Sequence, residues 1–180
     1  MISKKKIVIK LSNKNYLYIK YFNKNKLNKS FLNNYVSSLK KNKFIVYKTK
    51  NYLDQIRYLK NINRSKDKII FLLEFNKMFI GTIGVQKIKK NFFIGILIFS
   101  KKIRNKGYSK YFLYGVIKFL KYFYKINNYL AGINSDNLRS INLFKSLGFR
   151  VKSRFVKSFL FYLNYKKIKK PNCIDEYSII

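Results

Sequence analysis

The residues with the clearest chemical potential form a short basic loop, Arg104-Asn-Lys-Gly107-Tyr-Ser109. The loop follows a largely apolar run, Asn91 to Phe99, which is typical of a buried strand, and it opens a strongly amphipathic helix. Unpaired backbone N–H groups converge where a helix begins, and the helix dipole favours negative charge there. Gly107 lets a ligand approach the backbone because it has no Cβ. The loop therefore predicts a binding site for a phosphate or pyrophosphate.

The composition limits the other chemistry that the chain can perform. The sequence has no histidine and a single cysteine, Cys173. This excludes Ser-His and Cys-His catalysis, an intramolecular disulfide and a multi-cysteine zinc site, and we expect no metal. With 180 residues, 48% of them apolar, the chain is long enough for one domain with a substantial core. We assign that domain to residues 1–166 and a peripheral tail to residues 167–180.

The charge is strongly one-sided, with 41 basic and 6 acidic residues and a net charge of +35. Such a charge predicts attraction to polyanions. Much of the lysine excess also fits a coding sequence biased toward A and T. The positive charge therefore either serves the function of the protein or results only from this bias in the coding sequence. No nucleic-acid-binding motif appears, and we therefore expect no specific nucleic-acid binding.

Targeting and membrane signals are weak. The basic N-terminus is followed by only a short apolar stretch, which does not fit a signal peptide. The apolar stretch from Ile69 to Val85 is broken by Glu74, Asn76 and Lys77. We expect a soluble, cytoplasmic protein without a membrane partner.

Hydrophobic periodicity predicts elements on both sides of the loop. Before it we predict a strand at 6–11, helices carrying residues 16–22, 31–39 and 52–62 with Thr49 as a cap, an extended piece at 43–49, and an antiparallel meander of 68–75, 78–86 and 91–99. After it we predict a long helix from residue 108, a strand at 129–133, a two-turn helix begun by capping residues and stopped by Gly148, and closing strands at 149–152 and 156–165.

Two motifs in this order resemble the GNAT superfamily of acetyl-CoA-dependent N-acetyltransferases. Arg104-x-x-Gly107-x-Ser109 is similar to the family's pyrophosphate loop, Arg/Gln-x-x-Gly-x-Gly/Ala. Asn137-x-x-Ser140-x-x-x-Phe144-x-x-Leu147-Gly148-Phe149 is similar to its later motif, in which Asn precedes a short helix that ends in Leu-Gly-Phe. The resemblance covers about residues 69 to 154. It implies an α+β fold with a mixed, largely antiparallel sheet of about six to seven strands flanked by helices. The first half looks more loosely like the branch of ribosomal-protein and amino-sugar acetyltransferases.

The resemblance also implies a site for acetyl-CoA, used as a cosubstrate. In such folds the fourth strand and its neighbour splay apart, and the pantetheine arm enters the gap. The implied cofactor-binding residues are Leu97, Ile98, Phe99, Arg104, Asn105, Lys106, Gly107, Tyr108, Ser109, Asn137 and Ser140. Arg104 and Lys106 are equally consistent with ordinary surface charge, and Asn137 and Ser140 with plain helix capping.

Two departures from the family concern proton transfer. Phe144 stands where many members carry the Tyr that protonates the leaving thiolate. Phe92 and Phe93 stand where many members carry a Glu that acts as the general base. Glu74 and Asp136 are the candidate catalytic carboxylates, each acting through a water. A structural role, an ion pair for Glu74 and a helix cap for Asp136, is the favoured alternative.

The implied activity is direct acetyl transfer from acetyl-CoA to a primary amine, without a covalent acyl-enzyme. A nucleotide-linked amino sugar is the preferred acceptor because its diphosphate suits a lysine-lined cleft. A protein N-terminus is the alternative acceptor, and a degenerate module that binds CoA or RNA is the alternative function. The sequence is consistent with either a monomer or a homodimer.

Overall fold

A computed structural model describes residues 5–22, 29–41, 52–62, 65–100, 103–104 and 106–180. The helices and strands in these ranges, in chain order, are β1 (Lys6–Leu11), β2 (Tyr16–Tyr21), α1 (Lys29–Lys41), α2 (Tyr52–Ile62), β3 (Lys68–Phe75), β4 (Met78–Ile88), β5 (Asn91–Ile98), α3 (Tyr108–Tyr124), β6 (Asn128–Asn134), α4 (Leu138–Ser146), β7 (Arg150–Phe155), β8 (Ser158–Asn164) and β9 (Ile174–Ile179). A single 3₁₀ turn, Tyr165–Lys167, follows β8.

The strands of the described residues form one sheet of nine, in the order β7-β8-β6-β5-β4-β3-β2-β1-β9. Neighbours are antiparallel except β5 and β6, which run parallel. The predicted α+β class and the mixed, largely antiparallel sheet are confirmed. The predicted count of six to seven strands is too low, because β2 and β9 were not recognised as strands.

Helices cover both faces of the sheet, and alternate residues of each strand divide between them. On β3, Phe71 and Leu73 belong to a large core cluster with α3, whereas Ile70 and Leu72 belong to a smaller cluster with α1 and α2. The two sides are called the α3 face and the α1–α2 face below. This division decides which strand residues can meet a ligand on each side.

The segment at 16–22 is a strand, β2, and not the predicted helix. Its burial alternates, with Leu17 and Ile19 buried and Tyr16 exposed, which is the period of a strand with one face in the core. It pairs with both β1 and β3. Because apolar residues stand at almost every position, the sequence fits both periods, and tertiary pairing selects the strand.

The predicted peripheral tail is also corrected. Within residues 167–180, β9 pairs with β1 from Ile7 to Leu11 and forms one edge of the sheet. The Tyr177 hydroxyl on β9 donates a hydrogen bond to the Gly115 carbonyl oxygen of α3, 3.2 Å away. The extended piece predicted at 43–49 and the Thr49 cap lie outside the described residues.

The meander and the long helix are confirmed. Asn76 and Lys77 form the two-residue turn between β3 and β4, both with positive φ, as a hairpin turn of this kind needs. Helix α3 is anchored to β6 through Tyr129, whose single hydroxyl proton is shared between the carbonyl oxygens of Ile117, in α3, and Ile126, just after it. Burial raises the pKa of Tyr129, so this hydroxyl keeps its proton and its donor role.

Candidate active site

Strands β5 and β6 pair over only a short length. Among the described residues the parallel register holds Phe92 opposite Tyr129 and Phe93 opposite Leu130, and no further pair is made. Strand β5 continues to Ile98 and β6 to Asn134, so the sheet opens between them towards their carboxyl ends. A gap of this kind leaves backbone groups of β5 without a strand partner on one side.

The backbone N–H groups of β5 point alternately towards β4 and towards this gap. The Phe99 N–H donates to the Ile80 carbonyl oxygen of β4, 2.9 Å away, so it points away from the gap. Because successive peptide groups of a strand point in opposite directions, the N–H groups of Ile96 and Ile98 point towards β6. These two groups are placed to hold a ligand chain or to polarise a carbonyl within the gap.

The basic loop begins directly after β5. The N–H groups of Ile103 and Arg104 both donate to the Ser100 carbonyl oxygen, which curls the chain at the end of the strand. Gly107 is the N-cap of α3, in the left-handed region at φ 77°, and no side chain caps this helix end. The first N–H groups of α3 are therefore available to an anion, and the open space around Gly107 leaves it room.

A cavity of about 660 Å³ lies beside the gap and the basic loop, and the helices α1, α3 and α4 also contribute to its lining. Four of its described lining residues are cations, Lys41, Arg104, Lys110 and Arg139, and none is a carboxylate. Lys41 belongs to α1 and Lys110 to α3, which cover opposite faces of the sheet. The charge distribution favours a ligand that carries several negative charges.

Helix α4 brings its N-terminus to the same cavity. The Asn137 side-chain oxygen accepts a hydrogen bond from the Ser140 backbone N–H at 3.2 Å, which caps the helix. Both residues line the cavity. The predicted capping role of Asn137 is confirmed, and its contact with a cofactor stays a prediction.

Most of the predicted cofactor-binding residues come together in this cavity. Those that line it are Leu97, Ile98, Arg104, Gly107, Ser109, Asn137 and Ser140. Three others lie elsewhere: Phe99 is buried in the core on the α1–α2 face, Lys106 is exposed, and the Tyr108 ring packs on Phe75 with centroids 4.9 Å apart. Asn105 lies outside the described residues.

Neither candidate catalytic carboxylate is among the residues that line the cavity. Glu74 is buried on β3, where Lys20 Nζ lies 2.5 Å from its Oε2. Strand β4 separates it from β5. Asp136 is exposed in the turn before α4, and its backbone N–H donates to the Asn134 side chain. A catalytic role for either stays a prediction that this placement does not favour.

Phe144 and Phe92, which stand at the two departures, both pack on the core of the α3 face, and Phe93 is half-buried. Phe144 is buried and packs edge-on against Phe149, with ring centroids 4.9 Å apart. Phe92 packs into the core on the α3 face. None of the described residues that line the cavity is a tyrosine, so no lining side chain replaces the missing proton donor.

Several lining residues were missed from the sequence. They are Ser38, Lys41, Ile96, Lys110, Arg139, Leu143 and Ser146. Lys110 and Arg139 are next in sequence to the predicted residues Ser109 and Ser140. They occupy polar positions in the first turns of α3 and α4, and the helical periodicity of the sequence could have identified them as facing the same site. Ser38 and Lys41 carry no local signal, because only the packing of α1 brings them to the loop.

Comparisons with known proteins agree with this geometry. The acetyltransferase (GNAT) domain family matches residues 28–150. This chain therefore belongs to the GNAT acetyltransferase family, and its cosubstrate is acetyl-CoA. Among curated protein sequences, none matches this chain.

Solved structures share the fold. The N-acetyltransferase PseH of Campylobacter jejuni is 21% identical, with 81% of this chain and 97% of that one covered at a TM-score of 0.62. A spermidine N-acetyltransferase of Vibrio cholerae is 11% identical, with 84% and 95% covered at a TM-score of 0.70. Mycobacterium smegmatis RimJ, solved with CoA-disulfide, is 9% identical, with 89% and 88% covered at a TM-score of 0.75. At these identities the likeness establishes the fold, and the acceptor has to be argued from this chain.

Two further features are absent from the part of the chain that the structure describes. No helix in the described ranges is long and apolar enough to cross a membrane. Likewise, among the residues that the structure describes, no three His, Cys, Asp or Glu side chains cluster closely enough to hold a metal ion.

Proposed function

We propose that this acetyltransferase transfers acetyl from acetyl-CoA to the primary amine of a nucleotide-linked amino sugar. The observation that carries the proposal is the charge of the cavity, which has four described cationic residues and no described carboxylate in its lining. A polyamine acceptor carries several positive charges and needs carboxylates to bind it. A nucleoside diphosphate sugar carries the opposite charge and is attracted to the same surface.

The position of Lys41 supports a second anionic ligand besides acetyl-CoA. Arg104 and Lys110 stand at the loop and at the first turn of α3, where the pyrophosphate of acetyl-CoA would bind. Lys41 comes from α1, on the opposite side of the sheet. A diphosphate on the acceptor would bring negative charge to that side.

The reaction needs few side chains. The neutral amine nitrogen attacks the thioester carbonyl carbon, and an N–C bond forms as the C–S bond breaks. The N–H groups of Ile96 and Ile98 would stabilise the negative charge that develops on the carbonyl oxygen. The CoA thiolate leaves, and the proton lost by the amine reaches the thiolate through water, so that an amide and free CoA thiol result.

No carboxylate among the described lining residues is available to take a proton from the acceptor amine. With no histidine in the chain, an amine that binds protonated has no lining base to deprotonate it. The acceptor must therefore arrive neutral or lose its proton to solvent. Proximity and orientation would then supply most of the rate enhancement.

An acceptor panel tests the proposal. The full chain is given acetyl-CoA with a nucleoside diphosphate amino sugar, the same amino sugar without the nucleotide, a peptide with a free N-terminus, and spermidine. Thiol release gives the rates and mass spectrometry identifies the products. We expect the nucleotide-linked sugar to have the highest kcat/KM, and the free sugar to lose about tenfold or more. A preference for the peptide or for spermidine would contradict the proposal.

A further inference from the structure

The β7–β8 hairpin ends in an apolar pair that faces solvent. Phe155 closes β7 and Ser158 opens β8, so the turn between them consists of Val156 and Lys157. Phe155 is 60% exposed and Val156 is 96% exposed. Among the large apolar side chains that the described part of the chain exposes, these two alone are neighbours in sequence. We call residues 154–157 the hairpin tip.

Neither packing nor turn chemistry explains the apolar pair. A side chain as exposed as Val156 buries almost no apolar surface inside the protein. Two-residue hairpin turns favour Asn, Asp and Gly, because these residues tolerate the positive φ that such a turn needs. The turn between β3 and β4 has Asn76 and Lys77 at positive φ, whereas neither Val156 nor Lys157 has a positive φ. The described structure therefore gives no internal reason for apolar residues at this tip.

Cations without ion pairs surround the apolar pair. None of them belongs to an ion pair among the described residues. Residues 137–174 contain ten Lys or Arg and no Asp or Glu, and Asp136, just before this stretch, makes no ion pair with the hairpin. The hairpin thus presents a local excess of positive charge around its apolar end. Its exposed cations are Arg150, Lys152, Arg154 and Lys157.

An apolar pair between cations matches the chemistry of an anionic lipid surface. The apolar side chains of a surface-bound segment enter the boundary between headgroups and acyl chains, while Lys and Arg remain at the phosphates. A single-stranded nucleic acid would need a groove with aromatic rings on which its bases stack, and Val156, the most exposed residue of the tip, has no ring. A second copy of this chain would bring four cations against four others.

We propose that the hairpin tip docks this protein on an anionic lipid bilayer, with Phe155 and Val156 inserted below the phosphates and the cations of the hairpin at the headgroups. The sequence predicted no membrane partner, because its apolar stretches are too short or too interrupted to cross a bilayer. Attachment to one surface of a bilayer needs no such stretch. The inference does not depend on which amine is the acceptor.

The hairpin tip lies at the same end of β6 as the cavity. Ser158 pairs with Asn134, the last residue of β6. The next backbone N–H, that of Ser135, donates to the Lys157 carbonyl oxygen, 3.0 Å away. Asn137, two residues further along the chain, lines the cavity. A docked protein would therefore hold its cavity at the end of the sheet that meets the lipid.

Tryptophan fluorescence tests the insertion directly, because the chain contains no tryptophan. Phe155→Trp places a single indole at the tip. Tyr122→Trp is the control, since Tyr122 is 66% exposed and lies near the end of α3, just before β6 begins. With vesicles of equal parts phosphatidylcholine and phosphatidylserine, we expect the tip indole to emit at shorter wavelength and to be quenched by brominated acyl chains. The control should do neither. Unshifted emission from the tip indole of vesicle-bound protein would overturn the proposal.

Vesicle co-sedimentation of the full chain separates insertion from simple attraction by the net charge. Phe155→Ser with Val156→Ser removes the apolar pair and keeps the cations. Ile88→Ser with Tyr122→Ser is the matched control, which removes one aliphatic and one aromatic side chain that are exposed at the other end of the sheet. We expect the partition coefficient to fall about tenfold or more in the tip variant and to stay within about twofold in the control. The melting temperature and the acetyl-CoA affinity should be unchanged in both.

The remaining outcomes would each overturn the proposal. They include no binding of the wild type to the vesicles, equal losses in the tip variant and the control, and equal binding to vesicles of phosphatidylcholine alone. Binding of a single-stranded RNA oligonucleotide that requires the apolar pair, without vesicle binding, would assign the tip to nucleic acid instead. Self-association in solution that only the tip variant loses would assign it to a second copy of this chain.

Discussion

The Arg104 side chain donates a hydrogen bond from Nε to the Ile98 carbonyl oxygen, 3.1 Å away. This bond ties the basic loop to the end of β5, and both residues line the cavity. It uses only one of the five N–H donors of the guanidinium, so the others remain available to a phosphate. We therefore expect Arg104 to have two roles, one in fixing the geometry of the loop and one in attracting a negatively charged ligand.

Replacing Arg104 separates these two roles. Arg104→Lys keeps the charge but loses the planar Nε–H that reaches the Ile98 carbonyl, whereas Arg104→Ala loses both. We expect acetyl-CoA affinity to fall in both, and further in the alanine variant. Calorimetric titration measures this. Equal affinity in all three proteins would show that Arg104 is surface charge without a part in binding.

Gly107→Ala tests the loop itself. A Cβ at this position meets no described atom of the protein but forces an L-residue into the left-handed region, at a cost of roughly 1–2 kcal/mol. It would also stand where a pyrophosphate approaches. We expect acetyl-CoA affinity to fall at least about tenfold, which corresponds to about 1.4 kcal/mol.

Gly148→Ala is the matched control for that variant. Gly148 also has positive φ, and its Cβ would collide with the Lys167 carbonyl oxygen, so the melting temperature should fall further than in Gly107→Ala. It does not line the cavity, and acetyl-CoA affinity should be retained below the melting transition. If both variants lose affinity equally, the loss at Gly107 comes from instability and not from a blocked site.

Asn137 variants distinguish a helix cap from a ligand contact. Asn137→Ala removes the acceptor for the Ser140 N–H and should lower the free energy of unfolding by about 1 kcal/mol. Asn137→Asp keeps the cap but adds a negative charge to a cavity that we expect to bind an anion. We expect wild-type stability and weaker acetyl-CoA binding for the aspartate. Wild-type affinity in that variant would leave Asn137 as a cap only.

The pH dependence of turnover tests the absence of a lining base. Only the neutral amine attacks, so kcat/KM should rise with pH through the pKa of the acceptor amine. An acceptor whose amine has a lower pKa should shift the rise to lower pH. Glu74→Gln should keep this profile, although it should lower the melting temperature because it removes the ion pair with Lys20. A profile independent of the acceptor, or one that Glu74→Gln or Asp136→Asn abolishes, would identify a carboxylate as the base.

The parts of the site that local sequence encodes were predictable. The basic loop with its Gly107 and the Asn137 cap each depend on residues within a few positions along the chain, and each has a distinct composition. The strand at 91–99 was predicted as buried, whereas most of β5 is only partly buried. Its apolar side chains line a cavity as well as a core, and hydrophobicity alone does not separate the two.

The missed features depend on contacts between distant segments. Strand β9 has only six residues, two of them acidic, and its pairing with β1 depends on a partner more than 160 positions away. Lys41 reaches the cavity only through the packing of α1.

Titration of the full chain with acetyl-CoA and with pantetheine, which lacks the phosphates, tests whether the basic loop binds a pyrophosphate. Calorimetry at moderate and at high salt should show acetyl-CoA binding at least about tenfold tighter than pantetheine. Its affinity should fall with salt much less than the roughly 10³- to 10⁵-fold that is typical of multi-phosphate nucleic-acid contacts. Equal binding of the two ligands, or no binding of acetyl-CoA, would contradict the assignment of the loop as a pyrophosphate site.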